Sequence, residues 1–108
     1  MTNKFDIGSL RDAVAQGQIQ WQVHALERIL ERGVSRKDVF DAMMNGEVIE
    51  EYGSDKPFPS CLIAQVKGTP LHVVAAIDAD AGVGYIITAY RPDLDHFEPD
   101  FKTRRSKS

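Results

Sequence analysis

The apolar positions change period once along the chain. Up to about Gly46 they recur every three or four residues, the spacing of helices with one buried side. Beyond it they gather into short β-rich runs, "EVIEEY", "CLIAQV", "LHVVAAI" and "VGYIITAY". In the first half, "SLRDAVAQG" offers Ser9 as an N-cap, Leu10, Ala13 and Val14 as an apolar side, and Gly17 as a stop. "IQW" is too short to assign and reads as an extended lead-in. A second helix runs from about Gln22 to Arg32, with Gly33 in the left-handed position past its end. "SRKDVFDAMMNG" opens with a capping-box arrangement, Ser35 and Asp38, and ends on Asn45-Gly46. Its apolar side is Val39, Ala42 and Met43.

The β runs are separated by "GSDKPFPS", "KGTP" and "DADAG", all good turn chemistry. Consecutive short strands with short connections are most simply an antiparallel meander. Helices over about 8–45 followed by a meander over about 47–90 therefore predict an α+β fold. In it, N-terminal helices pack on a four-stranded antiparallel β-meander, and residues 1–108 form a single domain. The expected core is Leu26, Ile29, Leu30, Val39, Met43, Val48, Leu62, Val73, Ala75 and Ile87. "RPDLDHFEPDFKTRR" then leaves the sheet as a loop with room for a helical turn, and a basic tail, 102–108, closes the chain.

Composition narrows the class without choosing it. With 108 residues, 43 % hydrophobic and 27 % charged, the chain is an ordinary globular domain. Nothing approaches the ~18 consecutive apolar residues of a membrane span, and the acidic, h-region-free N-terminus is not a secretory signal. No membrane association and a cytoplasmic location are expected. The single cysteine, Cys61, cannot form an intrachain disulfide or anchor a zinc site alone. No glycine-rich phosphate loop and no G-x-S-x-G turn occur, so neither a nucleotide-fuelled enzyme nor a hydrolase triad is expected.

Charge is more informative in its distribution than in its sum of −3. Acids dominate the stretch from Asp38 to Asp100, whereas Arg28, Arg32, Arg36 and Lys37 cluster early, and "KTRRSKS" carries Lys102, Arg104 and Arg105 with no acid. Such asymmetry can serve an anionic partner despite a net negative charge. A disordered, solubilising end is the plainer account of the tail.

Three stretches could carry chemistry. In "VHALERILERG", His24, Arg28 and Arg32 repeat every four residues, roughly opposite Leu26, Ile29 and Leu30. A histidine can move a proton near neutral pH, and an arginine can hold a phosphate bidentately. The same row would also suit a solvated face in which Arg28 and Arg32 pair with Glu27 and Glu31. In "LHVVAAI", Leu71, Val73, Ala75 and Ile77 share one face and His72 lies on the other, where it needs a partner or solvent. In "IITAYRPD", Thr88 and Tyr90 share a face near a strand end, with Arg91 following; a plain polar exit from a strand would look the same.

The ordered strings H-A-x-x-R-x-x-x-R-G-V-S (His24 to Ser35), D-V (Asp38, Val39), G-E-V-I-E-x-Y (Gly46 to Tyr52), P-L-H-V-V (Pro70 to Val74) and I-I-T-A-Y-x-P-D (Ile86 to Asp93) resemble the family known as domain of unknown function 4258. The resemblance spans roughly residues 20–105. Gln22 departs from it, standing where a Ser or Thr helix cap would be expected. What it implies is a small bacterial protein related to the RelE/colicin/barnase-like ribonuclease toxins, with a small zinc-finger antitoxin as partner. On that reading His24, Arg28, His72, Thr88, Tyr90 and Arg91 converge as catalytic groups. Arg32, Arg36, Lys37, Lys102, Arg104 and Arg105 contact RNA or an acidic antitoxin surface, and no metal or other cofactor takes part. The alternative is a non-catalytic RNA- or protein-binding module of the same fold.

Overall fold

A computed structural model describes residues 5–106. The elements are α1 (Ile7–Ala15), β1 (Ile19–Trp21), α2 (Val23–Glu31), α3 (Arg36–Asn45), β2 (Glu47–Tyr52), β3 (Ser60–Gln65), β4 (Leu71–Asp78) and β5 (Val83–Tyr90). The architecture is α+β, as the change of period predicts, but the sheet has five strands, in the order β1-β5-β4-β3-β2. β2 to β5 form the antiparallel meander. The added strand is "IQW", which pairs parallel with β5 over Gly84–Ile86. The expectation of a four-stranded, wholly antiparallel sheet is corrected there. Three residues carry too little periodicity to announce a strand, and the partner lies more than sixty residues away.

Local chemistry explains the helix ends. Asp6, not Ser9, caps α1: its carboxylate accepts from Gly8 N at 3.0 Å and from Ser9 Oγ at 2.9 Å. α2 starts at Gln22 without a side-chain cap and ends in a Schellman turn. In that turn Gly33 has φ +76°, Val34 N donates to Ile29 O, and Gly33 N donates to Leu30 O. The capping box of α3 is complete, with Ser35 and Asp38 exchanging hydrogen bonds of 3.0 Å. Gly46 is needed for space: a Cβ there would lie 2.5 Å from Ala42 O and 2.9 Å from Ala64 O.

The main core lies between the helices and one face of the sheet. Leu10, Ala13, Ile29, Val39, Ala42 and Met43 meet Cys61, Ile63, Leu71, Val73, Ala75, Ile77, Ile86 and Ala89. Of the expected core, Leu30 and Ile87 are corrected, being 49 % and 45 % exposed, and Leu26 and Val48 are only half-buried. Leu30 sits about 100° round α2 from the buried Ile29, beyond the edge of the packed stripe. Ile87 is the extra residue of a β-bulge, skipped between the pairs Val74↔Thr88 and Ala75↔Ile86. Among the described residues no helix is long and apolar enough to cross a membrane.

Two bulges determine what the second face of the sheet carries. Strict alternation would keep Ile86, Thr88 and Tyr90 on one face. With Ile87 skipped, Ile86 stays with Ala75 in the main core while Thr88 and Tyr90 turn to the second face, opposite Val74 and His72. In β2 the skipped residue is Ile49: Val48 pairs with Ile63, but Glu50 and Tyr52 pair with Leu62 and Ser60 on the second face. Both bulges thus move polar groups away from the helices. Residues 93–106 then return across that second face, held by a Phe97↔Arg104 bridge and by Glu98 N to Thr103 O and Arg105 N to His96 O.

Candidate anion-binding cleft

The row His24–Arg28–Arg32 does not lie on one side of α2. Residues four apart advance about 400°, so each member is turned about 40° from the last. His24 points into solvent, 89 % exposed and 3.8 Å from Glu27. By Arg32 the row has turned toward the sheet, and Arg32 Nη1 donates to Ala89 O at 2.8 Å and lies 3.2 Å from Thr88 Oγ1. This position is open because β1 covers β5 only as far as Ile86, leaving the following edge unpaired. Arg32 therefore belongs neither to a free solvated face nor to an i,i−1 pair with Glu31. It lies across the sheet edge.

Next to it a cleft of about 360 Å³ opens beside the end of β5, lined by Arg32, Tyr90, Arg91, Pro92, Asp93, His96, Phe97 and Arg104. Arg91 is braced on Thr69 O and Pro70 O at 3.2 and 3.3 Å and lies 3.7 Å from Asp38. Arg104 stacks on Phe97, 5.2 Å from the ring centre, and its Nε and Nη2 donate to the two oxygens of Glu50 at 2.6 and 3.2 Å. That pairing holds the Glu50 carboxyl below its usual range. Both guanidiniums are thus fixed by acids or carbonyls, while Arg32 has no acidic partner among the described residues.

His72 lies beneath the cleft, not in it. It is fully buried on the second face, edge-on to Phe97 and Tyr90. Its Nε2 is 2.6 Å from Phe101 O and its Nδ1 is 3.2 Å from Tyr90 Oη. A carbonyl can only accept, so Nε2 carries the proton. Burial lowers the His72 pKa and favours the neutral ring, which leaves Nδ1 to accept the Tyr90 O–H. Burial likewise raises the Tyr90 pKa, so its phenol stays protonated.

The expected catalytic set is thus divided. Thr88, Tyr90, Arg91 and, behind Tyr90, His72 are brought together, and Arg32 and Arg104 join them. His24 is two turns, about 12 Å, along α2 from Arg32, and its side chain leaves the helix layer, whereas His72 is on the other side of the sheet. The structure does not bring these two histidines together. Arg28 is one turn from Arg32, and neither it nor Arg36 has an ion pair among the described residues; Lys37 pairs with Asp41 at 3.6 Å. The tail is not a loose cationic arm up to Ser106. Lys102 pairs with Glu47 at 2.9 Å, Arg104 with Glu50, and Arg105 with Glu98 at 2.8 Å. Lys107 and Ser108 lie outside the described residues.

Sequence reading missed His96 and Asp93. Asp93 closes the I-I-T-A-Y-x-P-D string without being singled out there, and the signal for His96 is the D-x-x-H spacing inside a segment read as a loop. Among the described residues no three His, Cys, Asp or Glu side chains gather as a metal set. Cys61 is buried, which pushes its thiol up to about 12 and makes it a poor nucleophile.

Fold and site together define an α+β protein with helices on one face of a mixed sheet and an arginine-lined cleft at the open end of β5. The chain belongs to the family described as a domain of unknown function (DUF4258), whose model matches residues 21–91. No curated protein and no solved structure matches it. The match ends at Arg91, so the segment that covers His72 and completes the cleft follows the matched region.

Proposed function

We propose that the protein is the toxin of a bacterial toxin–antitoxin pair, with a RelE/barnase-like fold, and that it cuts RNA in the cytoplasm without a metal ion. The observation that carries this is the convergence of Arg32, Arg91 and Arg104 with Tyr90 on one open cleft. Guanidiniums in fixed positions suit a phosphodiester and the extra charge of its pentavalent transition state. Arg28, one turn further along α2, extends the cationic path. The partner that restrains the activity would be an antitoxin, of zinc-finger type by resemblance to the toxin families, covering the same cations.

One observation favours a second reading, a non-catalytic RNA- or protein-binding module: the motif histidine His72 is sealed under Phe97 and Phe101. Incubation of a structured RNA with the protein in excess chelator separates the two. The ribonuclease reading expects fragments ending in 2′,3′-cyclic phosphate. It also expects a loss of about 10–100-fold in Arg32→Ala, the worth of one charge-assisted contact. Intact RNA that nevertheless binds, with affinity falling steeply as salt rises, would leave the binding module in its place.

A further inference from the structure

The cleft needs a proton carrier that a ligand can touch, and neither histidine singled out by the sequence motifs meets that need. His72 is fully buried and His24 is two turns away along α2. A third histidine does. His96 lines the cleft with a side chain 73 % exposed, and its Nδ1 lies 2.7 Å from Asp93 Oδ1. Asp93 Oδ1 also accepts from the backbone N of Asp95 and of His96, each at 3.0 Å, so the carboxylate is fixed by its own turn. The Phe97↔Arg104 bridge and the hydrogen bond from Arg105 N to His96 O, 2.9 Å, fix the backbone on either side.

The geometry points to His96 as the general base of the cleft and Asp93 as its positioning residue, an assignment that rests on the ribonuclease reading above. A carboxylate only accepts, so the hydrogen bond to Asp93 puts the proton of the neutral ring on Nδ1 and leaves the Nε2 lone pair free. Among the described residues Nε2 has no hydrogen-bond partner. The charged and titratable groups sharing the cleft are Arg32 from α2, Tyr90 and Arg91 from the end of β5, Asp93 from the same turn and Arg104 from the returning chain. Three of these are cations that would hold a phosphate beside Nε2. In the step itself the ribose 2′-hydroxyl gives its proton to Nε2 while its oxygen bonds to phosphorus. The phosphorus–O5′ bond breaks, and the leaving 5′-oxygen takes a proton from water. The products are a 2′,3′-cyclic phosphate and a 5′-hydroxyl end.

The test is the pH dependence of RNA cleavage, in chelator, by the full-length wild type, His96→Gln, Asp93→Asn and His72→Gln. Thermal melting of each variant reports its folding. Wild type should show a rate that rises with pH through a single deprotonation. His96→Gln should lose ~10²–10⁴-fold in rate and lose the rising limb, while melting like wild type because the side chain is exposed. Asp93→Asn should keep a limb at a displaced pH and a reduced rate, because an amide can hold the ring in the wrong tautomer. His72→Gln should keep the limb wherever it remains folded. Wild type that cuts, with His96→Gln cutting at the same rate and on the same limb, overturns the assignment and leaves the ribonuclease reading standing. Wild type that does not cut overturns both.

Discussion

At the residue scale, the three histidines of this chain show how placement decides chemistry. His24 is a solvent-facing side chain, His96 is exposed but tethered, and His72 is sealed with both ring nitrogens engaged. The last has a thermodynamic consequence. Its folded pKa lies below the ordinary 6.5, so the unfolded chain binds the proton more readily. The stability it contributes is therefore full above about pH 6.5 and declines as pH falls toward the lowered value. Denaturant melts between pH 8 and 5 should show wild type losing stability on acidification. His72→Gln should be less stable at pH 7, by roughly 2–4 kcal/mol from lost packing and an unpaired Phe101 carbonyl, and should show a flatter pH dependence.

At the scale of elements, local signals and close approaches act independently and can be tested separately. The capping box at Ser35 satisfies donors at the start of α3, so Ser35→Ala should lower stability by about 1 kcal/mol in denaturant unfolding. Gly46→Ala is a different case. Its new methyl would press on the carbonyls of Ala42 and Ala64, and backbone oxygens cannot rotate aside. A loss of about 1–3 kcal/mol or more is expected from overpacking, larger than the cap's contribution. Equal effects for the two substitutions would mean that α3 and β3 can move apart at no greater cost than losing the cap. The bulges at Ile49 and Ile87 belong to this scale too, because one extra residue in each strand decides which face receives Glu50, Thr88 and Tyr90.

At the scale of the whole molecule, the segment after Arg91 is a second cover. Phe97 is buried, Phe101 O accepts from His72, and Lys102 and Arg104 pair with Glu47 and Glu50 of β2, so the segment links the two ends of the meander. A chain ending at Arg91 would leave His72 and its aromatic neighbours in water. It should melt at lower temperature and bind a hydrophobic dye more strongly than the full chain. Unchanged melting would show that the second face needs no cover. The ion pairs themselves are partly exposed and should contribute little each, so most of the loss comes from uncovering apolar surface.

What the sequence by itself determined is whatever depends on neighbours within a turn or two. That includes the helices ending at Gly17, Gly33 and Gly46, the capping box of α3, the four meander strands, and the family motifs. Those signals are local because helix caps and side-chain alternation are set over two to four residues. Tertiary structure alone decided the rest: the parallel seat of "IQW" against β5, the two bulges, the reach of Arg32 to Ala89, and the return of residues 93–106 over His72. Each joins groups tens of residues apart, and no periodicity records a partner at that range. The candidate site therefore was legible as residue types, in Arg32, His72, Thr88, Tyr90, Arg91 and Arg104, but not as an arrangement. The turn of α2 excludes His24 from the cleft, and the returning chain brings His96 to it.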